Sequence, residues 1–363
     1  MKYVLGIEST AHTFGASVID VSKDGKDKSK MILSNVRDSV TTTKGGMVPN
    51  KAMEHHVEVC DEVINKALEE ANKKIEENNK INKINLKKLK NISIKDIDLI
   101  SFSSSPGLGG CLRVGAICAR TLSLKNKIPI IGVNHCIAHL EIGKILTNAK
   151  DPVLLYCSGA NTQIIAFEGD KYRIFGESLD TGIGNFLDTF ARDMELGFPG
   201  GPKIEKLALL SKNYIELPYS VKGMDVAFSG MLSNLKEKLT KKEKDKNGNE
   251  IRKYKMEDLA YSAQETAFAM LVEVAERAMA HCEKKELLLG GGVACNKRLQ
   301  AMCKIMCDER RAKFYCPQND VLIDNAVMIA WLGYLEYKSG IRMDIDTCPI
   351  DPYLRTDEVV VGW

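Results

Sequence analysis

Apolar and polar residues alternate along the chain in a pattern that predicts two similar runs of strands and helices. In the first run, strands are predicted at 2–7, 13–21, 31–37, 97–103 and 128–133, and helices at 48–71, 109–125 and 135–146. In the second run, strands are predicted at 152–157, 161–167, 172–179, 286–289 and 312–315, and helices at 183–195, 202–211, 256–282, 294–308 and 323–337. Each run begins with three strands and continues with helices and strands. This repetition predicts a duplicated α/β architecture whose two lobes enclose a cleft.

The repeat also suggests domain limits. Residues 1–147 are predicted to form an N-terminal lobe and residues 148–324 a C-terminal lobe, with 325–363 packing back on the first. Two segments rich in Lys and Asn, 72–95 and 240–253, interrupt the pattern and are interpreted as solvated insertions. A second interpretation is that these segments contact nucleic-acid phosphates.

The charge of the chain is unevenly distributed. Of the 363 residues, 51 are Lys or Arg and 48 are Asp or Glu, which gives a net charge of +3. Segment 72–95 carries a net +6 and segment 236–255 a net +5, so the remainder of the chain carries −8. Because the rest of the chain is acidic, we expect the isolated chain to bind nucleic acid weakly unless the insertions, a local patch or partner subunits supply cations.

Composition excludes several classes of protein. The chain is 44% hydrophobic and 27% charged, which is typical of globular proteins and excludes disordered or fibrous ones. Because no apolar run is long enough to cross a bilayer, no membrane partner is expected. The 11 cysteines form no C-x-x-C pair and are interpreted as reduced intracellular thiols. Without a targeting segment, the expected location is cytoplasmic, and a nuclear location is also open.

Three turns that contain glycine follow predicted strands and are candidates for binding phosphate. They lie at 6–13, 157–163 and 290–296. Glycine lets backbone amides approach an anion, and nearby Ser and Thr hydroxyls add donors. One such turn alone is more typical of an ordinary tight hairpin. Their recurrence in both halves favours a nucleotide or a phosphorylated ligand in the cleft, although neither a P-loop nor a Rossmann motif is present.

A histidine pair and a distant carboxylate are the candidates for metal binding. His135 and His139 lie four residues apart on a predicted helix, so their imidazoles share one face and can reach one ion; a buried structural pair is the alternative. Cys136 follows His135, which excludes a zinc-protease motif because its glutamate base is missing. Asp324 opens the last long predicted helix, either as its N-terminal cap or as a third metal ligand. Two imidazoles and one carboxylate suit a catalytic ion such as Fe²⁺, Zn²⁺ or Mn²⁺.

Several longer motifs carry a family resemblance. They lie at 5–8, 105–109, 131–139, 158–163, 185–192, 222–230 and 291–296. Their order closely resembles the tRNA N6-adenosine threonylcarbamoyltransferase family, in its archaeal and eukaryotic branch. The resemblance implies a fold of the actin/Hsp70/sugar-kinase type. It also implies transfer of a threonylcarbamoyl group from threonylcarbamoyl-AMP to the N6 amine of the adenosine beside the anticodon, in tRNAs that read codons beginning with A. It implies work within a KEOPS-type complex, with a small kinase-like ATPase and accessory subunits.

The resemblance also assigns site residues. It implies one divalent ion per subunit, of Fe, Zn, Mn or Mg, held by His135, His139 and Asp324 with Tyr156 beside it. The same His135, His139 and Asp324 are the expected catalytic residues, and an adenylate or ATP-type nucleotide is expected in the cleft. Substrate contacts are implied at Tyr156, Cys157, Ser158, Gly159, Ala160, Asp188, Gly201, Glu205 and Asn296.

Three departures from the family pattern stand out. Ala160 replaces a glycine, and a positive φ there would strain the backbone by roughly 1 kcal/mol or more. The segment 181–184 differs in its small and apolar residues, and His12 stands where the bacterial branch has an aspartate.

Two other functions stay open at this point. A small-molecule kinase of the same fold explains the glycine turns but not the histidine pair. A nucleotide-switched binding module would need a further domain for its ligand.

Overall fold

The computed structural model describes residues 1–23, 28–43, 46–81, 91–247, 249–346 and 348–363. Within these residues the strands are β1 (Tyr3–Glu8), β2 (Thr13–Asp20), β3 (Val36–Ser39), β4 (Leu99–Ser105), β5 (Ile130–Asn134), β6 (Val153–Cys157), β7 (Thr162–Glu168), β8 (Lys171–Glu177), β9 (Val221–Lys222), β10 (Asp225–Val226), β11 (Lys242–Lys244), β12 (Glu250–Arg252), β13 (Glu286–Gly290) and β14 (Lys313–Tyr315). The helices are α1 (Pro49–Ile81), α2 (Gly109–Asn126), α3 (His135–Thr147), α4 (Ile183–Asp193), α5 (Gly201–Ala208), α6 (Ser229–Thr240), α7 (Met256–His281), α8 (Lys297–Glu309), α9 (Asn319–Leu322) and α10 (Ala326–Lys338).

Two five-stranded sheets have the same topology. The first has the strand order β3-β2-β1-β4-β5 and the second the order β14-β13-β6-β7-β8. In each sheet, three strands that follow one another in the chain pair antiparallel. A later strand pairs in parallel with the first of them, and the last strand pairs in parallel with that later strand. The carboxyl ends of parallel strands meet at one edge of a sheet, so each half offers one edge where loops can form a ligand site.

The helices α3 and α10 form the shared core between the two sheets. Ten of the thirteen residues of α3 and nine of the thirteen residues of α10 are buried. One apolar cluster joins these helices to β1, β5, β6 and β13. The side chains on these two helices are therefore held by packing from both halves of the molecule.

The chain after residue 325 returns to the first sheet. Helix α10 packs against β1, β2 and β4, and the amide of Asp351 donates to the carbonyl of Ser104 at 2.9 Å. The same segment also contacts the second half, where Arg355 lies 3.1 Å from the carboxylate of Glu177.

The structure differs from the sequence prediction in several elements. The predicted strand 31–37 is mostly irregular, and regular pairing with β2 begins only at Val36. Met31 and Leu33 are buried beside β2 without belonging to a strand, and their burial produced the apolar pattern that predicted one. Helix α6 was missed. The Lys/Asn-rich segments are ordered where they are described, since α1 continues through residues 72–81 and β11 pairs with β12 inside 240–253. Residues 82–90 of the first segment lie outside the described residues.

Among the described helices, none combines the length and apolar character that crossing a membrane requires.

Candidate active site

Two imidazoles lie side by side at the carboxyl edge of the first sheet. Helix α3 begins at His135 directly after β5, and Asn134 caps it by accepting hydrogen bonds from the amides of Cys136 (3.0 Å) and Ile137 (3.2 Å). The rings of His135 and His139 are 4.8 Å apart and nearly perpendicular, and their residues are only 5% and 2% exposed. The capped start of α3 thus points both imidazoles to one place.

Asp324 reaches the same place from the chain segment that leaves the second half. Its Oδ1 lies 3.3 Å from Nε2 of His135 and 3.4 Å from Nε2 of His139. Asp324 is not the cap of the last long helix, because that helix begins at Ala326 and Asn325 caps it by accepting from the amide of Met328. The carboxylate is therefore left to face the imidazoles.

The residues present fit a divalent cation. One nitrogen from each histidine and one oxygen of Asp324 all lie within 4.8 Å of one another. Two imidazoles and a carboxylate are the donor set of many catalytic Zn²⁺ and Fe²⁺ sites, and three protein ligands leave positions open for a substrate.

Glu8 supports the cluster from behind. It ends β1, is fully buried, and its Oε2 lies 2.9 Å from Nδ1 of His135. Its other oxygen accepts from the amide (2.7 Å) and hydroxyl (2.5 Å) of Thr10. A carboxylate that accepts from Nδ1 fixes the ring and keeps Nε2 available on the side of Asp324.

Burial and charge act in opposite directions on the ionisable groups of the cluster. Burial lowers the pKa of His135, but the carboxylates of Glu8 and Asp324 outweigh burial and raise that pKa well above its ordinary value. Burial likewise raises the pKa of Asp324, yet the two histidines hold it well below its usual range. For His139 burial prevails and lowers the pKa. Without a cation the cluster thus combines a protonated His135, a neutral His139 and an ionised Asp324. A cation that binds all three side chains must displace the proton of His135, because only the neutral imidazole is a ligand.

Tyr156 and the turn that follows it form the adjoining wall. The ring of Tyr156 lies 5.2 Å from that of His139, and burial raises the pKa of its hydroxyl well above the ordinary value. Cys157 is fully buried, whereas Gly159 and Ala160 are exposed. The amide of Ser158 donates to a carbonyl within its own turn, so it does not face a ligand.

The backbone of the turn accommodates Ala160 without the strain that a positive φ would cause. Its φ is not positive, so alanine causes no strain of the kind expected if it occupied a left-handed position. Among the described residues, no group accepts a hydrogen bond from the amides of Gly159 and Ala160. Helix α4 holds the turn in place. The amide of Gly184 donates to the carbonyl of Ser158 at 3.0 Å, and the amide of Asn185 donates to the carbonyl of Gly159 at 2.8 Å. Two exposed donors are therefore held on a rigid support.

The other predicted substrate contacts lie in the second half and make internal hydrogen bonds. One oxygen of Asp188 accepts from the amide of Gly200 at 2.6 Å, at the start of the helix that opens with Gly201. Burial raises the pKa of Asp188. One oxygen of Glu205 accepts from the amide of Lys297 at 2.7 Å. The amide of Gly201 also interacts with Asp188, and the bond from Lys297 uses only one oxygen of Glu205.

The side chain of Asn296 makes hydrogen bonds within the fold. Its oxygen caps α8 by accepting from the amides of Arg298 (2.9 Å) and Leu299 (3.3 Å), and its nitrogen donates to Gln264 at 2.8 Å. The oxygen is used by the cap, and the nitrogen uses one of its two N–H groups on Gln264. The predicted contact between this side chain and a nucleotide stays a prediction.

The two halves meet at one mouth of the cleft. The backbones of Thr42 and Phe198 exchange hydrogen bonds of 3.1 and 3.0 Å. The ring of His12, in the first glycine turn, packs edge-on against Phe198 with 5.4 Å between centroids. His12 also acts electrostatically on Asp188. Residues of the first turn and of the second half thus line a common space.

Comparison with known proteins decides the family. A family model described as tRNA N6-adenosine threonylcarbamoyltransferase matches residues 31–331. Proteins with that name from Thermococcus kodakarensis and Thermococcus sibiricus are each 50% identical over 359 residues, which cover 99% of this chain and 99% of the relative. The chain belongs to the tRNA N6-adenosine threonylcarbamoyltransferase family. The resemblance carried by the motifs is confirmed.

Some relatives of this threonylcarbamoyltransferase family member are longer. The probable bifunctional tRNA threonylcarbamoyladenosine biosynthesis protein of Methanocaldococcus jannaschii is 46% identical over 359 residues, which cover 99% of this chain but 60% of that protein. The chain therefore spans about three fifths of the bifunctional relative.

Solved structures with little sequence similarity confirm the fold class. HypF from T. kodakarensis has a TM-score of 0.55 at 16% identity, over 93% of this chain and 48% of that one. Full-length HypF in a phosphate- and nucleotide-bound form has a TM-score of 0.53 at 10% identity, over 92% and 56%. The fold of this family member is the duplicated α/β fold of the actin/Hsp70/sugar-kinase type.

Glu8 was missed in the sequence analysis, although a signal for it existed. It ends a buried strand that is parallel to β4, which in turn is parallel to β5, so its position at the carboxyl edge beside His135 follows from the topology. A carboxylate at the buried end of such a strand is costly unless it has a partner, and the partner here is a metal-ligand candidate.

Replacing Glu8 tests this supporting role. In Glu8→Gln, the side-chain amide presents a donor either to His135 or to Thr10, and a donor facing Nδ1 would force the ring proton onto Nε2. We expect the affinity for Zn²⁺ to fall by about 10- to 100-fold, measured by competition with a chromophoric chelator. Thr10→Val removes a hydroxyl that donates to Glu8 and lies 3.3 Å from Nδ1 of His135, but it keeps the Glu8 carboxylate and should have a smaller effect. Unchanged Zn²⁺ affinity in Glu8→Gln would show that Glu8 does not orient the ligand.

Proposed function

We propose that this chain transfers the threonylcarbamoyl group from threonylcarbamoyl-AMP to the N6 amine of the adenosine beside the anticodon, in tRNAs that read codons beginning with A. It would act as the catalytic subunit of a KEOPS-type complex with a small kinase-like ATPase, in the cytoplasm or the nucleus. The observation that carries the proposal is the buried cluster of His135, His139 and Asp324 beside an exposed amide turn, in a chain 50% identical to proteins of this name over nearly its whole length.

The reaction asks for positioning and charge stabilisation. The donor is a mixed anhydride whose leaving group is AMP, while the adenine amine is a poor nucleophile because its lone pair is delocalised into the ring. A bond forms from N6 to the carbamoyl carbon, the bond from that carbon to the phosphate oxygen breaks, and N6 loses one proton. Holding both reactants together and stabilising negative charge are therefore the main contributions that a protein can make.

The residues of the cleft divide these tasks. His135, His139 and Asp324 would hold a divalent cation, with Tyr156 beside it. A cation bound there supplies Lewis-acid stabilisation of charge on the donor oxygens. The amides of Gly159 and Ala160 belong to exposed residues of a supported turn and have no acceptor among the described residues, so they would donate hydrogen bonds to carbamoyl or phosphate oxygens.

The carboxylates of the second half suit the nucleotide part of the donor. Glu205 uses one oxygen to hold the amide of Lys297, and Asp188 interacts with the amides of Gly200 and Gly201, so both carboxylates are fixed in orientation. Each carboxylate would accept a hydrogen bond from a ribose hydroxyl. Gly201 lies at the start of α5, next to the amide that Asp188 holds, where the absence of a side chain keeps the approach open.

Nucleoside analysis tests the proposal. The purified chain, with and without the partner ATPase and accessory subunits, is incubated with a tRNA transcript, threonine, bicarbonate, ATP and a donor-forming enzyme. We expect mass spectrometry to detect threonylcarbamoyladenosine, and a transcript with guanosine at the target position to stay unmodified. Failure of the complete mixture to form this nucleoside would refute the proposal, and phosphate transfer to a small molecule would instead indicate a kinase.

A further inference from the structure

An exposed two-stranded ribbon carries more cations than its own ion pair uses. The basic hairpin consists of β11 and β12 with the flanking Lys241 and Lys253, whose backbones are joined by a hydrogen bond of 2.9 Å. In its register Lys242 faces Arg252, and Lys244 faces Glu250. All four of these side chains point to the same face of the ribbon, because directly opposed residues in an antiparallel pair share a face.

Opposed positive charges on this face destabilise the pairing of β11 with β12. Lys242 and Arg252 are directly opposite like charges, which destabilise a strand pair. Glu250 forms an ion pair with Lys242 at 2.8 Å, but both side chains are 63% exposed. Lys244 and Arg252 form no ion pair with any residue that the structure describes. An isolated two-stranded ribbon is at best marginally stable, so this excess of positive charge is not explained by folding.

The base of the hairpin is nevertheless anchored. Tyr254 packs against the core of the second half, with the ammonium groups of Lys238 and Lys253 at 5.5 and 5.7 Å from its ring centre. Lys236, on α6, lies 3.3 Å from the carboxylate of Asp193. The cations are therefore presented on a ribbon whose attachment is fixed, rather than on a freely moving chain.

Helix α6 connects the hairpin to the substrate turn, which is the turn after β6 that carries Gly159 and Ala160. Asp180 accepts hydrogen bonds from the amides of Phe228 (2.9 Å) and Ser229 (2.8 Å), where α6 begins. The residues just after Asp180 contact the turn that carries Gly159 and Ala160. The twelve residues of α6 span about 18 Å at 1.5 Å per residue. Helix α6 thus leads from the neighbourhood of that turn to the hairpin, over a helix length of about 18 Å.

We propose that the basic hairpin binds the phosphate backbone of the tRNA whose adenosine enters the cleft. This inference rests on the proposed function, because that function makes a tRNA the macromolecule that must approach. Outside segments 72–95 and 236–255 the chain carries a net charge of −8, so most of its surface repels RNA. Binding by counterion release needs several cations on one face, and the hairpin supplies Lys242, Lys244 and Arg252 on one face.

Charge neutralisation on that face tests the inference. In the triple variant Lys242→Gln, Lys244→Gln and Arg252→Gln, we expect the dissociation constant for a tRNA transcript to rise about tenfold near physiological salt. We also expect the slope of log K against log salt concentration to become shallower by about 2, because each lost phosphate contact removes roughly 0.7 to 0.9. Fluorescence anisotropy of a labelled transcript at several salt concentrations measures both quantities.

A matched control removes the same charge elsewhere. Lys150, Lys285 and Lys313 are exposed and lie at the amino ends of β6, β13 and β14, the edge of the second sheet away from the substrate turn. The triple variant Lys150→Gln, Lys285→Gln and Lys313→Gln should change tRNA affinity less than twofold. Both triple variants should melt within a few degrees of the wild type, because every substituted side chain is exposed.

The outcomes separate this inference from the proposed function. Equal tRNA affinity and equal salt slope in the two triple variants would overturn the inference, even if the wild type forms threonylcarbamoyladenosine. Loss of a protein subunit from the complex, with tRNA affinity unchanged, would also overturn it and would assign the hairpin to protein docking. Tight, hairpin-dependent tRNA binding by a wild type that forms no modified nucleoside would refute the proposed function alone. With saturating tRNA, the hairpin variant should keep the wild-type kcat, since its residues lie outside the cleft.

Discussion

Replacing Asp324 by asparagine is expected to reduce threonylcarbamoyl transfer by roughly 10³-fold. The substitution keeps the size of the side chain but removes the negative charge that faces Nε2 of both His135 and His139. Lewis-acid stabilisation contributes several kcal/mol, and each 1.36 kcal/mol corresponds to tenfold in rate. The bound-metal content of the purified variant should fall together with the rate, measured by elemental analysis and by nucleoside mass spectrometry.

Asp320 provides the matched control for this variant. It lies four residues earlier on α9, is exposed, and is absent from the cluster that faces the imidazoles. Asp320→Asn removes the same charge and should keep both metal and activity. If Asp324→Asn retained full activity, the carboxylate would have no role in the reaction and the assignment of the cluster would be wrong.

The second large effect is expected at Gly291, where β13 meets the substrate turn. Its φ is +88°, and a Cβ there would lie 2.4 Å from the carbonyl oxygen of Cys157 and 3.0 Å from the amide nitrogen of Ser158. Gly291→Ala therefore combines a left-handed backbone, which costs about 1–2 kcal/mol, with a clash against backbone atoms. We expect the free energy of unfolding to fall by about 2–4 kcal/mol and kcat/KM for the donor by about 100-fold, since a shift of about 1 Å in positioning can cost that much.

The neighbouring Gly292 provides a control that has neither the positive φ nor the clash. A Cβ at Gly292 would meet only the side chain of Ile323, at 3.9 Å, which is an ordinary contact. Gly292→Ala should therefore leave urea denaturation and donor kinetics close to those of the wild type. If Gly291→Ala behaved like Gly292→Ala, the close packing between β13 and the turn after β6 would not matter for donor binding.

Much of the fold could be predicted because hydrophobic periodicity reports burial. The strands that lie inside both sheets, such as β1 and β6, are buried runs bounded by glycine or polar residues, and their pattern is unambiguous. The pattern failed where burial and regular structure diverge. Met31 and Leu33 are buried without being in a strand, and residues 72–81 are polar yet helical. The latter stretch holds Lys74 and Glu77 as an i,i+3 ion pair and places Ile75 against the core.

The candidate site could be predicted only as far as residue type and spacing allow. Spacing along one helix brought His135 and His139 together, but only the family resemblance and the fold connect them with Asp324, 185 residues from His139. The hydrogen bonds that commit Asn296 to a helix cap have no sequence signature that distinguishes capping from ligand binding, because both use the same amide. The φ of Ala160 likewise depends on the turn conformation, which a single glycine-to-alanine difference does not reveal.

The central claim is that one cation, held by two imidazoles and one carboxylate, fastens the activated adenylate in the cleft. The most direct measurement compares donor binding before and after removal of metal. Isothermal titration of a non-reactive analogue of threonylcarbamoyl-AMP should give one site per chain in metal-loaded protein, and at least tenfold weaker binding after chelation, with recovery when metal returns. Equal affinity for the analogue in metal-loaded and metal-free protein would contradict the account.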